Sequence, residues 1–416
     1  MAYTSKRFIV TIVYIAAAIL ILMLMITIHE LGHYLAAKWT GVKVVEFAIG
    51  FGPPIFKRQS KKTGEIFSIR WIPLGGFCAF EGEDAAGAPG MERREKRTIE
   101  TQSEGISSLV EAEREKTGEF PLAKGMPFDR AHPWRRLVIL FSGALFNFAS
   151  AILFSIVLLM VVGYTQGVRV HDFLDVNSGG QFIITEANTP AQTIKTHQYF
   201  QEGDVILAFN GEEFRLLRGF NAVLADLDRS VTHTATIRRG GEVIYQEFNF
   251  GQSEDGNSRI GVYMRSADTV FRPMGFFPAI GRAFLFGFEL AWLILTFLWM
   301  LISGQIGLSG IGGPISTITV MAESVGASFL NILILVPLIS VNLAVFNLLP
   351  IPALDGARMV FVGIEWGRGR PINPNLEAKI HITGLILLMA LVLLADMNFL
   401  FFGGRSMIEW FGTWRL

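Results

Sequence analysis

The stretch Phe8–His33 reads FIVTIVYIAAAILILMLMITIHELGH, and it decides the class of fold. Its first part, Phe8–Ile28, contains 21 residues without a charged side chain. At 1.5 Å per residue, a helix of that length crosses the roughly 30 Å hydrocarbon core of a bilayer. The sequence therefore predicts a membrane-spanning helix that ends in the polar motif His-Glu-Leu-Gly-His at 29–33.

The motif at 29–33 has the spacing of a metal site. Residues four apart on a helix lie on one face, so the imidazoles of His29 and His33 can reach one metal ion. The carboxylate of Glu30 can then take a proton from a water molecule beside that metal. An interfacial helix with two ordinarily hydrogen-bonded histidines is the alternative. Keeping three such groups at the end of a hydrophobic span is costly, which favours a functional site.

The composition is that of a membrane protein. Of 416 residues, 51% are hydrophobic and 17% charged, and the mean hydropathy is +0.43. The 36 basic and 36 acidic residues cancel, so nothing indicates a nucleic-acid partner. The single cysteine, Cys78, excludes an internal disulfide. Lys6 and Arg7 precede the first apolar run as in a signal peptide, but the run is long and lacks a small-residue cleavage site, so we expect it to be retained.

Other apolar stretches predict further spans. Leu137–Tyr164, Gly326–Leu354 and Ile382–Phe402 are each long enough to cross a bilayer. Ala283–Ile302 contains Glu289, and its composition is compatible with a span or with a helix in the membrane interface.

Two different segments separate the first two spans. Glu65–Phe80 is rich in β-branched and aromatic residues and is interrupted by Pro73 and Gly75-Gly76, which predicts a hairpin of two strands around a tight turn. Such an apolar hairpin either dips toward the bilayer or packs on the protein. The next segment, 81–124, is dominated by charge and predicts a mobile segment or a solvated helix.

Residues 166–268 have the composition of a small soluble domain. Apolar runs predict strands with Gly-containing turns between them, and one run has the spacing of a short helix. The predicted strands are Val205–Phe209, Thr232–Ile237 and Val243–Phe250, the turns are Asn210-Gly211 and Gly240-Gly241, and the helix is Phe220–Leu227.

A second polar motif follows the stretch that ends at Leu354. Residues 347–356 read NLLPIPALDG, and Pro350 and Pro352 cannot both lie in a regular helix. Backbone without helical hydrogen bonds is tolerated at membrane depth only where protein or a polar cavity covers it. Read alone, the motif is a helix end and a turn. Together with the two histidines, Asp355 becomes a candidate third ligand, which would leave a tetrahedral zinc with one open position.

A shared metal site restricts the topology. His29 and Asp355 each follow the C-terminal part of a span, so both spans must run in the same direction. The second span runs back and places 166–268 on the opposite side of the membrane. We therefore expect 269–325, with Ala283–Ile302, to be interfacial or re-entrant, which leaves four spans. Basic residues near the proposed inner ends agree with the positive-inside rule, whereas Lys6 and Arg7 do not.

These motifs together resemble the bacterial site-2 protease family of intramembrane zinc metalloproteases. The resemblance covers nearly the whole chain and follows the same order: the motif at 29–33, Pro73-Leu74-Gly75-Gly76, a second-span motif around Gly143–Asn147, a PDZ-like domain, Gly312-Gly313-Pro314 and the motif at 347–356. It implies that His29, His33 and Asp355 bind Zn²⁺ and that Glu30 is the general base. It also implies that Asn347, Asn147, Gly75 and Gly76 bind the substrate or hold the site.

The resemblance implies a polytopic α-helical membrane protein with about four transmembrane helices, a membrane-associated β-hairpin and one inserted PDZ-like α+β domain. The PDZ-like similarity rests on Thr189-Pro190-Ala191, Glu202–Ile206, Asn210-Gly211 and Arg239-Gly240-Gly241. The expected order is a first transmembrane helix at 1–40, an inner-side loop at 41–132, a second transmembrane helix at 133–165, the outer PDZ-like domain at 166–268, the segment 269–325, and two transmembrane helices at 326–366 and 378–404.

The function implied by the resemblance is regulated intramembrane proteolysis in the inner (cytoplasmic) membrane of a bacterium. Expected substrates are pre-trimmed single-span membrane proteins of the anti-sigma factor type, or remnant signal peptides, and the other partner is the lipid bilayer. The sequence does not indicate the oligomeric state. One alternative is a catalytically inert membrane scaffold that presents the PDZ-like domain, and another is a transporter, which would more often show internal repeats. The scaffold does not explain why both metal motifs are intact.

Overall fold

The computed structural model describes residues 2–83, 123–164, 166–170, 172–173, 183–184, 192–193, 199–201, 203–252, 258–260, 262–263, 269–305, 313–327 and 329–402. The described residues divide into two compact units, one within 1–155 and 283–406 and one within 156–282. Most of the predicted charged segment at 81–124 and the motif Thr189-Pro190-Ala191 lie outside the described residues.

Long apolar helices dominate the first unit. In the described part of the chain, five helices are long and apolar enough to cross a membrane by length and composition. Their apolar spans are Val10–Thr40, Pro133–Val161, Phe276–Ile302, Asn331–Leu348 and Asn375–Met397. The protein is thus a multi-pass membrane protein. The helices are α1 Ala2–Thr40, α2 Pro133–Val161, α3 Phe220–Ala225, α4 Phe276–Ile302, α5 Pro314–Ala327, α6 Phe329–Leu348, α7 Asp355–Arg368 and α8 Pro374–Phe402.

Helix α4 lies within 269–325, the segment that the sequence predicts to be interfacial or re-entrant. Just before α4, the N–H of Met274 donates to the carbonyl of Leu159 near the end of α2 at 3.0 Å, and farther along, the rings of Phe288 and Phe148 lie 5.2 Å apart. Later residues of α4 therefore contact earlier residues of α2, which means that the two helices run antiparallel. A helix that crosses the membrane beside α2 would make these contacts, so α4 is a candidate fifth span. The interfacial or re-entrant placement of 269–325 stays a prediction.

Strands β1 Val44–Gln59 and β2 Ile66–Phe80 form a sheet that packs on α1. Residues 46–49 of β1 pair with 76–79 of β2 on one side and with 66–69 of β2 on the other. Residues 56–59 of β1 pair with the second edge of 66–69. The hairpin expected within 65–80 is therefore not formed, because β1 lies between the two halves of β2. Gly75 allows β2 to bend, since it has a φ of 99° and a Cβ there would overlap the ring of Phe51.

The second unit contains an α+β fold. Its strands are β3 Gln166–Arg169, β4 Asp172–Phe173, β5 Ile183–Ile184, β6 Gln192–Thr193, β7 Val205–Phe209, β8 Glu212–Glu213, β9 His233–Arg239, β10 Glu242–Phe248, β11 Gly251–Gln252, β12 Ser258–Arg259, β13 Val262–Tyr263 and β14 Thr269–Phe271. One sheet has the strand order β10-β9-β7-β3-β14, and β8 pairs with β7. The predicted strands and helix at 205–250 are confirmed as β7, β9, β10 and α3, with ends that differ by at most two residues.

Two motifs behind the PDZ-like similarity meet in an ion pair. Arg239 donates from Nε and Nη2 to the two carboxylate oxygens of Asp204, each at 2.8 Å. Asp204 is 1% exposed and also accepts the N–H of Gln201 at 2.7 Å. Bidentate pairing of this kind is geometrically specific, so the two residues join β9 to the start of β7. The assignment of this unit as a PDZ-like domain stays a prediction.

Candidate metal centre

The side chains of His29, His33 and Asp355 meet at one point. Nε2 of His29 lies 3.0 Å from Oδ2 of Asp355 and 3.1 Å from Nε2 of His33, which is itself 3.2 Å from the same carboxylate oxygen. One potential ligand atom from each residue lies within 4.8 Å of the other two. Both histidines are buried, and the carboxylate is largely covered. The structure thus brings the candidate third ligand to the histidine pair.

The histidine motif lies inside a helix and not at its end, because α1 continues past His33 to Thr40. Helical spacing places both imidazoles on the face that packs against α2. A Cβ at Gly143 of α2 would overlap Nε2 of His33 and would lie 2.7 Å from Cε1 of His29. A Cβ at Gly32 of α1 would overlap the carbonyl of Ser142. The two glycines let the backbones of α1 and α2 approach closely at the histidines.

Asp355 is presented by a break between two helices. Helix α6 ends at Leu348 and α7 begins at Asp355, so the predicted opening of the backbone around Pro350 and Pro352 is confirmed. A Cβ at Gly356 would overlap the carbonyls at the end of α6, which explains why glycine follows the aspartate. The carboxylate therefore lies in the first turn of a new helix.

The groups around His33 leave its Nε2 available to a metal. Nδ1 of His33 lies 2.7 Å from the carbonyl oxygen of Ile139, which can only accept a hydrogen bond. The ring proton must therefore be on Nδ1, and the lone pair is on Nε2. Metal-bound histidines commonly donate their second nitrogen to a carbonyl in this way.

Asn147 provides a similar test at His29. Its amide nitrogen lies 3.4 Å from Nδ1 of His29, and its amide oxygen is buried without a hydrogen-bond partner among the described residues. Rotating the amide by 180° would place the oxygen against Nδ1, where it would accept a hydrogen bond from a protonated Nδ1. That arrangement satisfies both groups and turns the lone pair of Nε2 toward the cluster. The surroundings of both imidazoles therefore fit a bound zinc ion.

Glu30 and the sheet lie close together beside this cluster. Glu30 is half-buried on α1, and a Cβ at Gly76 of β2 would lie 3.3 Å from its Cγ and 3.0 Å from the carbonyl oxygen of Ala48. The predicted site residue Gly76 is thus next to Glu30, whereas Gly75 lies against the ring of Phe51. Asn347 is in the last turn of α6, and among the described residues no hydrogen bond joins it to the cluster.

Two ion pairs that hold α7 were not predicted from the sequence. Nη2 of Arg136 on α2 lies 2.6 Å from Oε1 of Glu365, and Arg358 pairs with Glu83. Burial by itself would lower the pKa of Arg358, but the carboxylates of Glu83 and Asp355 outweigh that effect and raise it. The only signal in the sequence is charge beside apolar stretches, which does not indicate the pairing.

The fold and the cluster define a membrane protein with a buried His-His-Asp group, and comparison with known proteins gives its family. The chain belongs to peptidase family M50, whose profile matches residues 17–391. It is 28% identical to the zinc metalloprotease RasP of Oceanobacillus iheyensis over 442 aligned positions, which cover 92% of this chain and 98% of the relative. It is also 28% identical to RasP of Shouchella clausii, with 92% and 97% covered.

A third relative carries a more specific name. The regulator of sigma-W protease RasP of Bacillus subtilis is 27% identical, and the alignment covers 92% of this chain and 97% of the relative. The chain is therefore a zinc metalloprotease of the site-2 protease family, with Zn²⁺ as its cofactor.

Proposed function

We propose that this protein is an intramembrane endopeptidase and that His29, His33 and Asp355 hold its zinc ion. The meeting of these three side chains within the apolar bundle is the observation that supports the proposal. Two imidazoles and one carboxylate leave a four-coordinate zinc with one open position, as in hydrolytic zinc sites. When bound, zinc polarises the carbonyl of the scissile peptide bond and lowers the pKa of water beside it.

Glu30 is the proposed general base. It lies between His29 and His33 on the same helix, and Gly76 leaves space beside its side chain. Its carboxylate takes a proton from the attacking water and passes that proton to the leaving amine. Asn147 and the carbonyl of Ile139 hold the imidazoles in the tautomer that presents Nε2.

The sheet is the proposed substrate platform. A transmembrane helix hides its carbonyl groups in hydrogen bonds, so a substrate must be extended before hydrolysis. The half of β2 from Gly76 to Phe80 pairs with β1 along one edge, and among the described residues no strand pairs with its other edge. Addition of an extended substrate strand there would satisfy the substrate backbone close to Glu30. Asn347 is a further proposed contact for the substrate backbone.

The proposed substrates are single-span membrane proteins that have already lost their outer domain. The name of the Bacillus subtilis relative supports a regulatory substrate, such as an anti-sigma factor, and remnant signal peptides form a second class. The proposed location is the inner membrane of a bacterium, with the PDZ-like unit at 166–268 on the outer side.

Ligand and base variants test this function in the purified full-length chain. His29→Ala, His33→Ala and Asp355→Ala should each lower zinc content, because each removes one of three protein ligands. Glu30→Gln should retain zinc and lose about 10²–10⁴-fold in the rate of cleavage of a transmembrane substrate, because it removes the base but no ligand. Cleavage by Glu30→Gln at the wild-type rate would show that the mechanism is wrong.

A further inference from the structure

His381 on α8 contacts the segment that carries Asp355. The imidazole is 6% exposed, and its Nδ1 accepts the backbone N–H of Ala353 at 3.0 Å. Ala353 lies two residues before Asp355, at the point where the chain turns into α7. The hydrogen bond therefore restrains the backbone just before Asp355, which sets the direction of the Asp355 carboxylate.

The backbone at Ala353 needs support. Its φ is 79°, in the left-handed region that alanine adopts only at a cost. Among the described residues, Asn210 is the other non-glycine residue with positive φ, and asparagine tolerates this region better than alanine does. An unfavourable conformation persists only where its surroundings hold it, and the hydrogen bond from Ala353 to His381 is such a restraint.

A second contact fixes the same segment to α8. Gly384 lies three residues after His381, on the same face of the helix. A Cβ at Gly384 would overlap the ring of Pro352 and would lie 3.2 Å from its Cα. The ring of Phe361 on α7 is 5.4 Å from the ring of His381. Helix α8 therefore contacts the chain both before and after Asp355.

The chemistry of His381 agrees with a specific role and not with packing alone. Because Nδ1 accepts a hydrogen bond, the ring proton lies on Nε2. Nε2 has no hydrogen-bond partner among the described residues, and the nearest carboxylate oxygen, Oε1 of Glu377, is 3.9 Å away. A histidine in an apolar helix is costly, and here its defined polar contact is the backbone of Ala353.

We propose that His381 is a positioning residue for Asp355. By accepting the N–H of Ala353, it stabilises the left-handed turn that points the carboxylate at His29 and His33. The last candidate span is then part of the metal centre and not a simple anchor. This inference rests on the proposed role of Asp355 as a zinc ligand.

The test measures zinc affinity by chelator competition and, separately, the thermal unfolding of the metal-free full-length chain. His381→Ala should weaken zinc binding by about 10-fold, as loss of supporting groups around metal ligands typically does. His381→Asn keeps an acceptor near the position of Nδ1 and should retain most of the affinity, whereas His381→Gln moves the acceptor away and should behave like His381→Ala. Gly384→Ala should weaken binding through displacement of Pro352.

Rescue separates positioning from general stability. Ala353→Gly in the His381→Ala background should recover zinc affinity, because glycine adopts the left-handed turn without support. Ala353→Gly alone provides the reference for the double variant. Unchanged zinc affinity in His381→Ala would overturn the inference, and so would a loss that Ala353→Gly does not recover. Asp355→Ala is measured in parallel: if it retains zinc, the proposed function fails and not this inference alone.

Discussion

Gly143 on α2 lies so close to His33 on α1 that one added methyl group would overlap the Nε2 atom of its imidazole. The two residues come from different spans, so the packing of these helices and the geometry of the metal centre depend on each other. A methyl group at Gly143 would displace the Nε2 atom of His33, which lies 3.2 Å from Oδ2 of Asp355.

Gly143→Ala should therefore weaken zinc binding by at least about 10-fold, while Gly363→Ala should not. The control glycine lies on α7, and a Cβ there would have no atom of the described residues within 4 Å. Zinc content and the competitive dissociation constant measure the effect. Equal zinc binding by both variants would show that the helices can move apart without disturbing the site.

The ion pair between Arg358 and Glu83 should stabilise the position of α7. Arg358→Glu or Glu83→Arg alone should lower the free energy of unfolding by about 1–3 kcal/mol, because each leaves a partly buried charge beside a like charge. The double exchange should recover most of that loss, as followed by thermal unfolding. Exchanging the exposed pair Arg218 and Glu212 is the control and should cost at most about 1 kcal/mol. A double exchange as unstable as the single variants would contradict a direct interaction.

The antiparallel contact of α4 with α2 predicts that α4 crosses the membrane. Single cysteines at Tyr245 and Gln305 in a Cys78→Ser background can be labelled with an impermeant thiol reagent. Tyr245→Cys should react in intact cells, whereas Gln305→Cys should react only after permeabilisation. Reaction of Gln305→Cys from outside would instead support the interfacial or re-entrant placement of 269–325.

Cys78 should react slowly with thiol reagents in the folded protein. The residue is 8% exposed, and burial, together with nearby carboxylates, raises the pKa of its thiol well above the ordinary value. A raised pKa keeps the neutral thiol, and the thiolate is the reactive form. Labelling at pH 8 should therefore be much slower than that of Tyr245→Cys and should become comparable after denaturation. Similar rates in the folded protein would mean that the sheet opens readily.

The unit at 166–268 lies between two candidate spans in the chain and is predicted to exclude substrates with a bulky outer domain by steric overlap. Replacing Gly167–Ser266 with a short flexible linker should preserve zinc binding and permit cleavage of untrimmed substrates. If the unit instead recruits trimmed substrates, the deletion would slow their cleavage and leave untrimmed substrates intact. Assays of both substrates in one membrane preparation distinguish these outcomes.

The sequence by itself determined the class of the protein and the identity of the candidate ligands. Uninterrupted apolar stretches require a bilayer, and a spacing of four on a helix places His29 and His33 together whatever the rest of the chain does. The prolines at 350 and 352 likewise require a break before Asp355. These features are local, so a linear pattern is enough to predict them.

Only the tertiary structure decided how the distant parts meet. The direction of α4, the placement of β1 between the halves of β2, and the support of Ala353 by His381 all depend on pairing between segments far apart in the chain. An apolar helix has the same composition whether it crosses the membrane or lies in its interface, and a bent strand resembles a hairpin. His381 is one of seven histidines, and its position opposite a left-handed turn follows from packing that no local pattern encodes.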